Sequence, residues 1–278
     1  MKKLVPNFAK DFAKSVINRS LAIAGWKLAP MQSVVLEDHW YDGRVDGVLS
    51  KHHPPAIEDR EFRKAIEHLA KRESFNDLDK AVRGEAVMFR LHLASQLASL
   101  SRSIDGDLVE FGVFRGATAY CMLDATKADD SENTAALKSM YLYDTFAGIP
   151  DAGMTNRERE VGLAGAYRQT SLDLVRECLS DHDDRLQFRP GLVPDTLDEP
   201  GPARIAMMHV DLNLAQPTLQ AIEWAFPRWS PGGICLLDDY LWEGYEDQRA
   251  VVDDFFAQRH RTILALPTGQ GLVLNIGD

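Results

Sequence analysis

Three acidic residues close two apolar runs of this sequence. Asp211 follows the run 205–210, and the pair Asp238–Asp239 follows 234–237. Between them lies a helix-forming stretch, 217–226, closed by the turn Ser230-Pro231-Gly232-Gly233. A strand, a helix and a second strand in that order make a right-handed crossover, so the two strands are expected to lie parallel in one sheet. Their carboxyl ends then emerge on a common edge, where ligands of open α/β sheets bind. Three carboxylates there repel one another unless something positive sits among them, and a divalent cation with oxygen ligands is the natural partner. A lone acid after a strand is often only a helix cap; three at two adjacent strand ends mark a site. Asp211, Asp238 and Asp239 are therefore the expected metal ligands. His209, two residues before Asp211, would share its strand face, as a base or as a packed strand histidine.

A second cluster lies upstream. An apolar run from Asp107 leads into Glu110-Phe111-Gly112-Val113-Phe114-Arg115-Gly116 and then a helical pattern. Glycines after a first strand let a ligand approach the backbone, and the following helix N-terminus offers free N–H groups to an anion. Asp144 closes the next apolar run, where an acid can accept hydrogen bonds from two ribose hydroxyls. Nicotinamide and S-adenosylmethionine sites share that device, so Asp144 alone does not choose between them. Its structural alternative is a cap of the turn 145–150. The dinucleotide pattern G-x-G-x-x-G is absent, because Gly112 and Gly116 are four apart.

These clusters need a frame that aligns strand ends. From Asp107 onward strands and helices alternate, with strands expected at 107–113, 139–144, 186–188, 205–211 and 234–238. Helices are expected at 117–127, 172–179, 217–226 and 247–259. Two last apolar runs, 262–266 and 272–276, flank Pro267-Thr268-Gly269-Gln270-Gly271, which is too short for a crossover helix, so they should pair antiparallel. Five parallel strands with a C-terminal antiparallel hairpin form the α/β, Rossmann-like sheet of class I methyltransferases. The hairpin and the missing third glycine both favour S-adenosylmethionine. Ahead of the sheet, helical spacing of Phe8, Phe12, Val16, Ile17 and Ile23 predicts a packed or surface helix. Residues 33–55, with His39, His52 and His53, look irregular, and further helices are expected at 57–72 and 80–101. The expected division is a helical extension or lid over 1–80 and a cofactor-binding domain over 81–278.

The 278 residues carry 45% hydrophobic and 26% charged side chains, as in ordinary globular proteins, and a net charge of −11. That charge disfavours nucleic acid as a partner, since a phosphate backbone needs a basic surface. The three cysteines have neither metal-ligand spacing nor a disulfide framework. Lys10, Asp11, Lys14 and Arg19 interrupt any apolar export signal after Met1-Lys2-Lys3, and no run approaches a transmembrane span. A cytoplasmic location is expected.

Taken in order, Val109 to Gly116, Asp144-Thr145-Phe146-Ala147-Gly148-Ile149-Pro150 and Ser230-Pro231-Gly232-Gly233 with Asp238-Asp239-Tyr240 resemble the macrocin O-methyltransferase family. The likeness runs from about Gly84 to Phe255 and leaves the first eighty residues unplaced. It implies a magnesium-dependent, S-adenosylmethionine-using enzyme in which Glu110, Gly112 and Asp144 hold the cofactor and Asp211, Asp238 and Asp239 hold the metal. The segment Gly191 to Leu197 resembles the family's loop after the fourth strand, near the adenine. The expected cofactor set is thus Glu110, Gly112, Arg115, Gly116, Asp144 and Gly191, with Asp211 receiving the acceptor's proton. Where the family has D-x-D-L-Y-x-S-T, this chain reads Asp211-Leu212-Asn213-Leu214-Ala215-Gln216-Pro217-Thr218. Its tail, Gly244 to Gln248 with Leu266 to Gly271, looks like a bacterial branch associated with surface glycans. The implied acceptor is a sugar or glycan-type small molecule, bound under residues 151–170, the 240–245 loop with Trp242, and an N-terminal lid. A homo-oligomer is expected from the N-terminal helices. The rival readings are a nicotinamide-dependent oxidoreductase on a sugar nucleotide and a non-catalytic subunit that keeps the fold.

Overall fold

The computed structural model describes residues 59–72, 88–127 and 137–276. The chain divides into two units, and every described residue belongs to the one formed by 43–48 and 53–278. The helix expected around Phe8 to Ile23, the irregular stretch 33–55 and His39, His52 and His53 lie outside the described residues.

Seven strands form one sheet: β1 Asp107–Phe111, β2 Met140–Asp144, β3 Leu186–Pro190, β4 Ile205–Val210, β5 Trp229–Leu237, β6 Leu264–Ala265 and β7 Gly271–Leu274. Their order is β3-β2-β1-β4-β5-β7-β6. The first five run parallel, and β7 pairs antiparallel with both β5 and β6. Among the described residues the α-helices are α1 Arg60–Leu69, α2 Met88–Leu100, α3 Ala117–Ala125, α4 Asn156–Glu160, α5 Leu172–Cys178, α6 Ala215–Ala225 and α7 Glu246–Ala257. The expected class I methyltransferase sheet is therefore present, with its terminal hairpin. Among the described residues no helix is long and apolar enough to cross a membrane.

The sheet is buried on both faces, and this explains why its strands read as unbroken apolar runs. All six residues of β4 are buried. Alternate residues point to opposite layers: Leu108, Met140, Leu142, Met207 and Leu236 pack with α1, α2, α3 and α5. Val109, Tyr143, Met208, Val210, Cys235 and Leu237 pack with α6 and α7. Each large apolar side chain buried in this way contributes about 1.5–3 kcal/mol. Phe62, Ala65 and Leu69 of α1 join the first layer, so this part of the expected extension shares the core of the sheet.

The two edges differ. At the amino edge the buried Lys138 donates to the carbonyls of Ile104 and Gly106, and the buried Arg185 donates to those of Lys138 and Leu123. Those contacts seal it. At the carboxyl edge the parallel ladder continues one step past each strand. Gly112 N–H donates to Tyr143 O, Asp211 N–H to Phe111 O, Asp238 N–H to Val210 O and Gly191 N–H to Asp144 O, at 2.7 to 3.0 Å. Backbone hydrogen bonds thus fix the position of each candidate residue.

Two expectations change. The segment 230–233 is not a turn before the strand: β5 begins at Trp229 and carries it as a bulge, since Ile205 pairs with Trp229 but Met207 with Ile234. Asn275 makes this possible by donating to the carbonyls of Trp229, Ser230 and Gly233 and accepting from Gly232 N–H. The connection 151–170 also holds the short helix α4. It is started by a capping box in which Thr155 and Glu158 exchange hydrogen bonds. The T-x-x-E pattern Thr155-Asn156-Arg157-Glu158 was a legible signal for it.

Gly112 is where the first strand meets the fourth. Its φ is +85°, and a Cβ there would stand 1.8 Å from the Asp211 carbonyl oxygen. Gly112→Ala is expected to cost about 3 kcal/mol or more, because both backbone strain and displacement of Asp211 oppose it. Urea denaturation of the two chains checks this, and a loss below about 1 kcal/mol would contradict it.

Candidate active site

One cavity of about 330 Å³ runs along the carboxyl edge. On the β2–β3 side it is lined by Gly112, Phe114, Arg115, Asp144 and Gly191, and on the β4–β5 side by Asp211, Asn213, Asp238, Asp239 and Arg90. Glu110 also lines it. Gly116, at the start of α3, is not among the lining residues; its φ of +88° lets the chain turn into the helix. Gly191 follows the third strand rather than a fourth. Its φ is +144°, and a Cβ would stand 2.8 Å from the Thr196 methyl group.

Asp144 fastens the glycine loop. Its Oδ2 accepts from Val113 N–H at 2.6 Å and Phe114 N–H at 2.9 Å, and its Oδ1 accepts from Phe146 N–H at 2.7 Å. The turn-capping role weighed for it is therefore real. Thr145 Oγ1 lies 2.8 Å from Gly148 O and 3.4 Å from Asp144 Oδ1; with its proton on the nearer carbonyl, a lone-pair site on Asp144 Oδ1 is open to a ligand hydroxyl. Arg115 is buried, and its Nε donates to the Gln169 carbonyl, while Thr170 donates to Phe114 O. These two bonds tie the connection 151–170 to the loop. Glu158, also buried, accepts from Thr155 N–H and from Ala215 N–H at 2.7 Å each, fixing the same connection to the start of α6. Tyr167, in this connection, packs edge-on against Phe114 with ring centroids 5.3 Å apart.

On the other side, carboxylate oxygens of Asp211, Asp238 and Asp239 lie within 4.8 Å of one another. Asp238 is the most heavily bonded. Its Oδ2 accepts from Arg90 Nη1 at 2.6 Å, and its Oδ1 from Gln270 Nε2 at 2.7 Å and His209 Nε2 at 3.3 Å. His209 Nδ1 lies 3.0 Å from Glu110 Oε1. His209 and Glu110 are each 1% exposed, so Glu110, His209, Asp238 and Arg90 form a chain of alternating charge through the edge of the sheet. Burial alone would lower the His209 pKa, but its bonds to Asp238 and Glu110 hold it up at about 10. With both ring nitrogens facing carboxylates, His209 is a packed strand histidine and not a base toward an acceptor.

The acids titrate apart for the same reasons. Burial opposes ionisation of Asp238, yet the His209 bond and the Arg90 charge pull it down to about 2. Burial and then the Asp238 charge push Asp239 up to about 6. Burial, with repulsion from Asp238 and Asp239, pushes Asp211 well above the carboxylate range. Asp211 and Asp239 thus hold their protons more tightly than ordinary carboxylates, and once ionised their hard oxygens would suit a divalent cation of the magnesium type. Burial likewise raises the Glu110 pKa, partly offset by His209, and its Oε2 is buried without a hydrogen-bond partner. An ammonium group entering the cavity would satisfy that oxygen.

The sequence did not point to Arg90, which reaches Asp238 across 148 positions. Nor did it assign a role to Gln270, although the tail motif contains it. Asn213 was visible as a departure from a pattern. Its place, donating from Nδ2 to Asp211 Oδ1 at 3.1 Å and to Asp239 Oδ2, was not. Trp242 packs under Arg90, whose guanidinium lies 5.1 Å from the ring centroid, and over Gly269, where a Cβ would meet its indole nitrogen at 2.6 Å.

The family model for macrocin O-methyltransferase matches residues 48–264. Among curated relatives, the tetracenomycin 4'-O-methyltransferase of Streptomyces olivaceus that acts on a dimethoxy-rhamnosyl compound is 32% identical over 155 residues, 53% of this chain and 58% of that one. Mycinamicin III 3''-O-methyltransferase of Micromonospora griseorubida is 28% identical over 152 residues, 51% of this chain and 58% of that one. The chain spans just over half the length of these curated relatives. Two solved structures share the fold: the O-methyltransferase NovP, with a TM-score of 0.60 at 24% identity over 68% of this chain and 81% of that one, and the calicheamicin methyltransferase CalS11, with 0.58 at 20% over 80% and 94%.

The displaced acids set a pH signature. Asp239 keeps its proton to about pH 6 in the folded chain against 3.8 ordinarily, so stability falls as pH rises from about 4 to 6. Asp211 adds to the fall, and Asp238 opposes it only below about pH 4. In chelator, urea denaturation at the two pH values should show that Asp239→Asn removes about 2–3 kcal/mol of this decline. An equal decline in both chains would refute the assignment.

Proposed function

The chain belongs to the macrocin O-methyltransferase family, and from that membership we propose that it transfers a methyl group from S-adenosylmethionine to a hydroxyl of a sugar or glycan-type small molecule, with a divalent cation assisting. The observation that carries this reading is the single cavity in which Gly112, Asp144 and Glu110 meet Asp211, Asp238 and Asp239. The named substrates of the relatives, a rhamnosyl tetracenomycin and mycinamicin III, support a glycoside acceptor. The catalytic domain in this reading is 81–278, with 1–80 as an extension that contributes α1 to its core. A cytoplasmic homo-oligomer belongs to the same proposal.

S-adenosylmethionine supplies an electrophilic methyl group on a sulfonium. Asp144 Oδ1 would accept a ribose hydroxyl, Gly112 would let the ligand reach the backbone, and Glu110 Oε2 would pair with the ammonium of the methionine tail. Asp211, Asp238 and Asp239 would hold a divalent cation, which would supply Lewis acidity toward the acceptor hydroxyl. Asp211, which lines the cavity, would receive the proton from that hydroxyl. The bonds from Arg90, His209 and Gln270 keep Asp238 and the end of β5 in place during transfer. Tyr167 lines the cavity and Trp242 packs against the lining residue Arg90, and both offer rings on which a sugar face can stack.

Titration calorimetry with S-adenosylhomocysteine tests the cofactor half. Wild type is expected to bind, and Asp144→Ala to weaken binding about tenfold or more, the worth of a charge-assisted hydrogen bond. Absence of binding, together with binding of a nicotinamide cofactor, would sink the methyltransferase reading. Asp211→Asn should leave this binding unchanged while methyl transfer from labelled S-adenosylmethionine to a panel of rhamnosides drops about 10²-fold or more. Equal transfer rates would remove Asp211 as the proton acceptor.

A further inference from the structure

Tyr167 stands in a conformation that its residue type disfavours. Its φ is +58°, in the left-handed region, where a bulky side chain is rare and the backbone is strained. The surrounding chain enforces this. Ile149 N–H donates to Ala166 O and Gly165 N–H to Ile149 O, each at 2.9 Å. Just beyond, the Gln169 carbonyl accepts from Arg115, and Thr170 donates to Phe114 O. Asn or Gly would follow the same path with less strain, so the tyrosine side chain supplies something at this place that they cannot.

That side chain lines the cavity and reaches between its two halves. Its ring meets Phe114 of the glycine loop edge-on, with centroids 5.3 Å apart. Its hydroxyl accepts a hydrogen bond from the hydroxyl of Tyr245, the residue before α7. Tyr245 is half-buried and packs against the cluster of Ile149, Met154, Leu163 and Leu214, which makes it a fixed support. Burial raises the Tyr167 pKa, and the charges of Asp211 and Asp239 raise it further. Burial and then the Asp239 charge do the same to Tyr245. Both phenols therefore keep their protons. The Tyr245 proton closes the bond between them, and the Tyr167 proton is left to donate to an oxygen in the cavity.

We propose that Tyr167 is a specificity-determining residue: supported by Tyr245, its hydroxyl donates to an acceptor oxygen that neighbours the hydroxyl being methylated. This rests on the methyltransferase reading above, and it selects acceptors with neighbouring oxygens, such as vicinal diols, over isolated alcohols. A bond to the neighbouring oxygen gives the acceptor a second point of attachment, and two points fix the direction in which the reacting oxygen faces the methyl group. The bond from Tyr245 polarises the Tyr167 hydroxyl and strengthens it as a donor. An acceptor that lacks the second oxygen leaves that donor unpaired, and sites built to bond a substrate oxygen reject such analogues. Tyr245 does not touch the acceptor in this arrangement; it is a positioning residue that acts through Tyr167.

The test uses the full chain, labelled S-adenosylmethionine, and a panel of rhamnosides with their monodeoxy analogues, with S-adenosylhomocysteine affinity from calorimetry as a second readout. Tyr167→Phe keeps the ring against Phe114 and removes the donor. Its kcat/KM for the best rhamnoside should fall about tenfold, and its preference over the analogue lacking the neighbouring hydroxyl should largely vanish, with S-adenosylhomocysteine affinity unchanged. Tyr245→Phe should show a smaller loss of the same kind. The double variant should be no worse than Tyr167→Phe, because both changes act through one hydroxyl. Undiminished discrimination in Tyr167→Phe, or fully additive losses in the double variant, would overturn the assignment. So would a fall in S-adenosylhomocysteine affinity as large as the fall in kcat/KM, because Tyr167 would then serve only to hold the glycine loop. A wild type that binds no S-adenosylhomocysteine would remove the methyltransferase reading itself, an outcome distinct from all of these.

Discussion

Four carboxylates crowd the ends of three adjacent strands: Glu110 on β1, Asp211 after β4, and Asp238 and Asp239 after β5. Glu110, Asp238 and Asp239 are buried and Asp211 is half-buried, so water screens these charges poorly and each must find a positive partner, keep its proton or share one. His209 and Arg90 meet that demand for Glu110 and Asp238. Asp211 and Asp239 share the amide of Asn213, with Arg90 Nη1 4.0 Å from Asp239, and their pKa values stay raised. An arrangement that costs stability in this way persists where it does something else, and here the pair faces the cavity.

The same crowding couples the two halves of the cavity. Gly112 ends the strand that carries Glu110, and its Cα passes so near the Asp211 carbonyl that a side chain is impossible. The glycine loop on one side of the cavity and Asp211 on the other are therefore positioned against each other by direct backbone contact. In the proposed methyl transfer such contact would hold the donor carbon and the acceptor oxygen at near-attack distance in a fixed direction.

The connection 151–170 is fastened at both sides of the cavity and is not a loose cover. Arg115 and Thr170 bind it to the glycine loop, Glu158 binds it to the start of α6, and Thr155 donates to Asp247 of α7 at 2.6 Å. Tyr167 is thereby held against Phe114 at the mouth. A pre-formed wall of this kind loses little entropy when an acceptor binds.

The sequence by itself determined whatever depends on neighbours along the chain. Apolar runs gave the strands, because a sheet covered on both faces buries every residue of its central members. Asp144, Asp211 and Asp238–Asp239 were legible because each closes such a run. The capping box at Thr155 was legible too, although the helix it starts was passed over, and 230–233 read as a turn because nothing local reveals that Asn275 will hold it as a bulge. The tertiary structure decided the charge on His209, the locking of Asp238 and the bridging by Asn213. These depend on Arg90, Glu110 and Gln270, which lie 148, 128 and 32 positions from Asp238 in the chain. Residue types can announce that acids will meet at a parallel sheet edge. Which acid is neutralised, and by what, depends on distances of a few ångströms in a medium of low dielectric, and only the folded chain sets those.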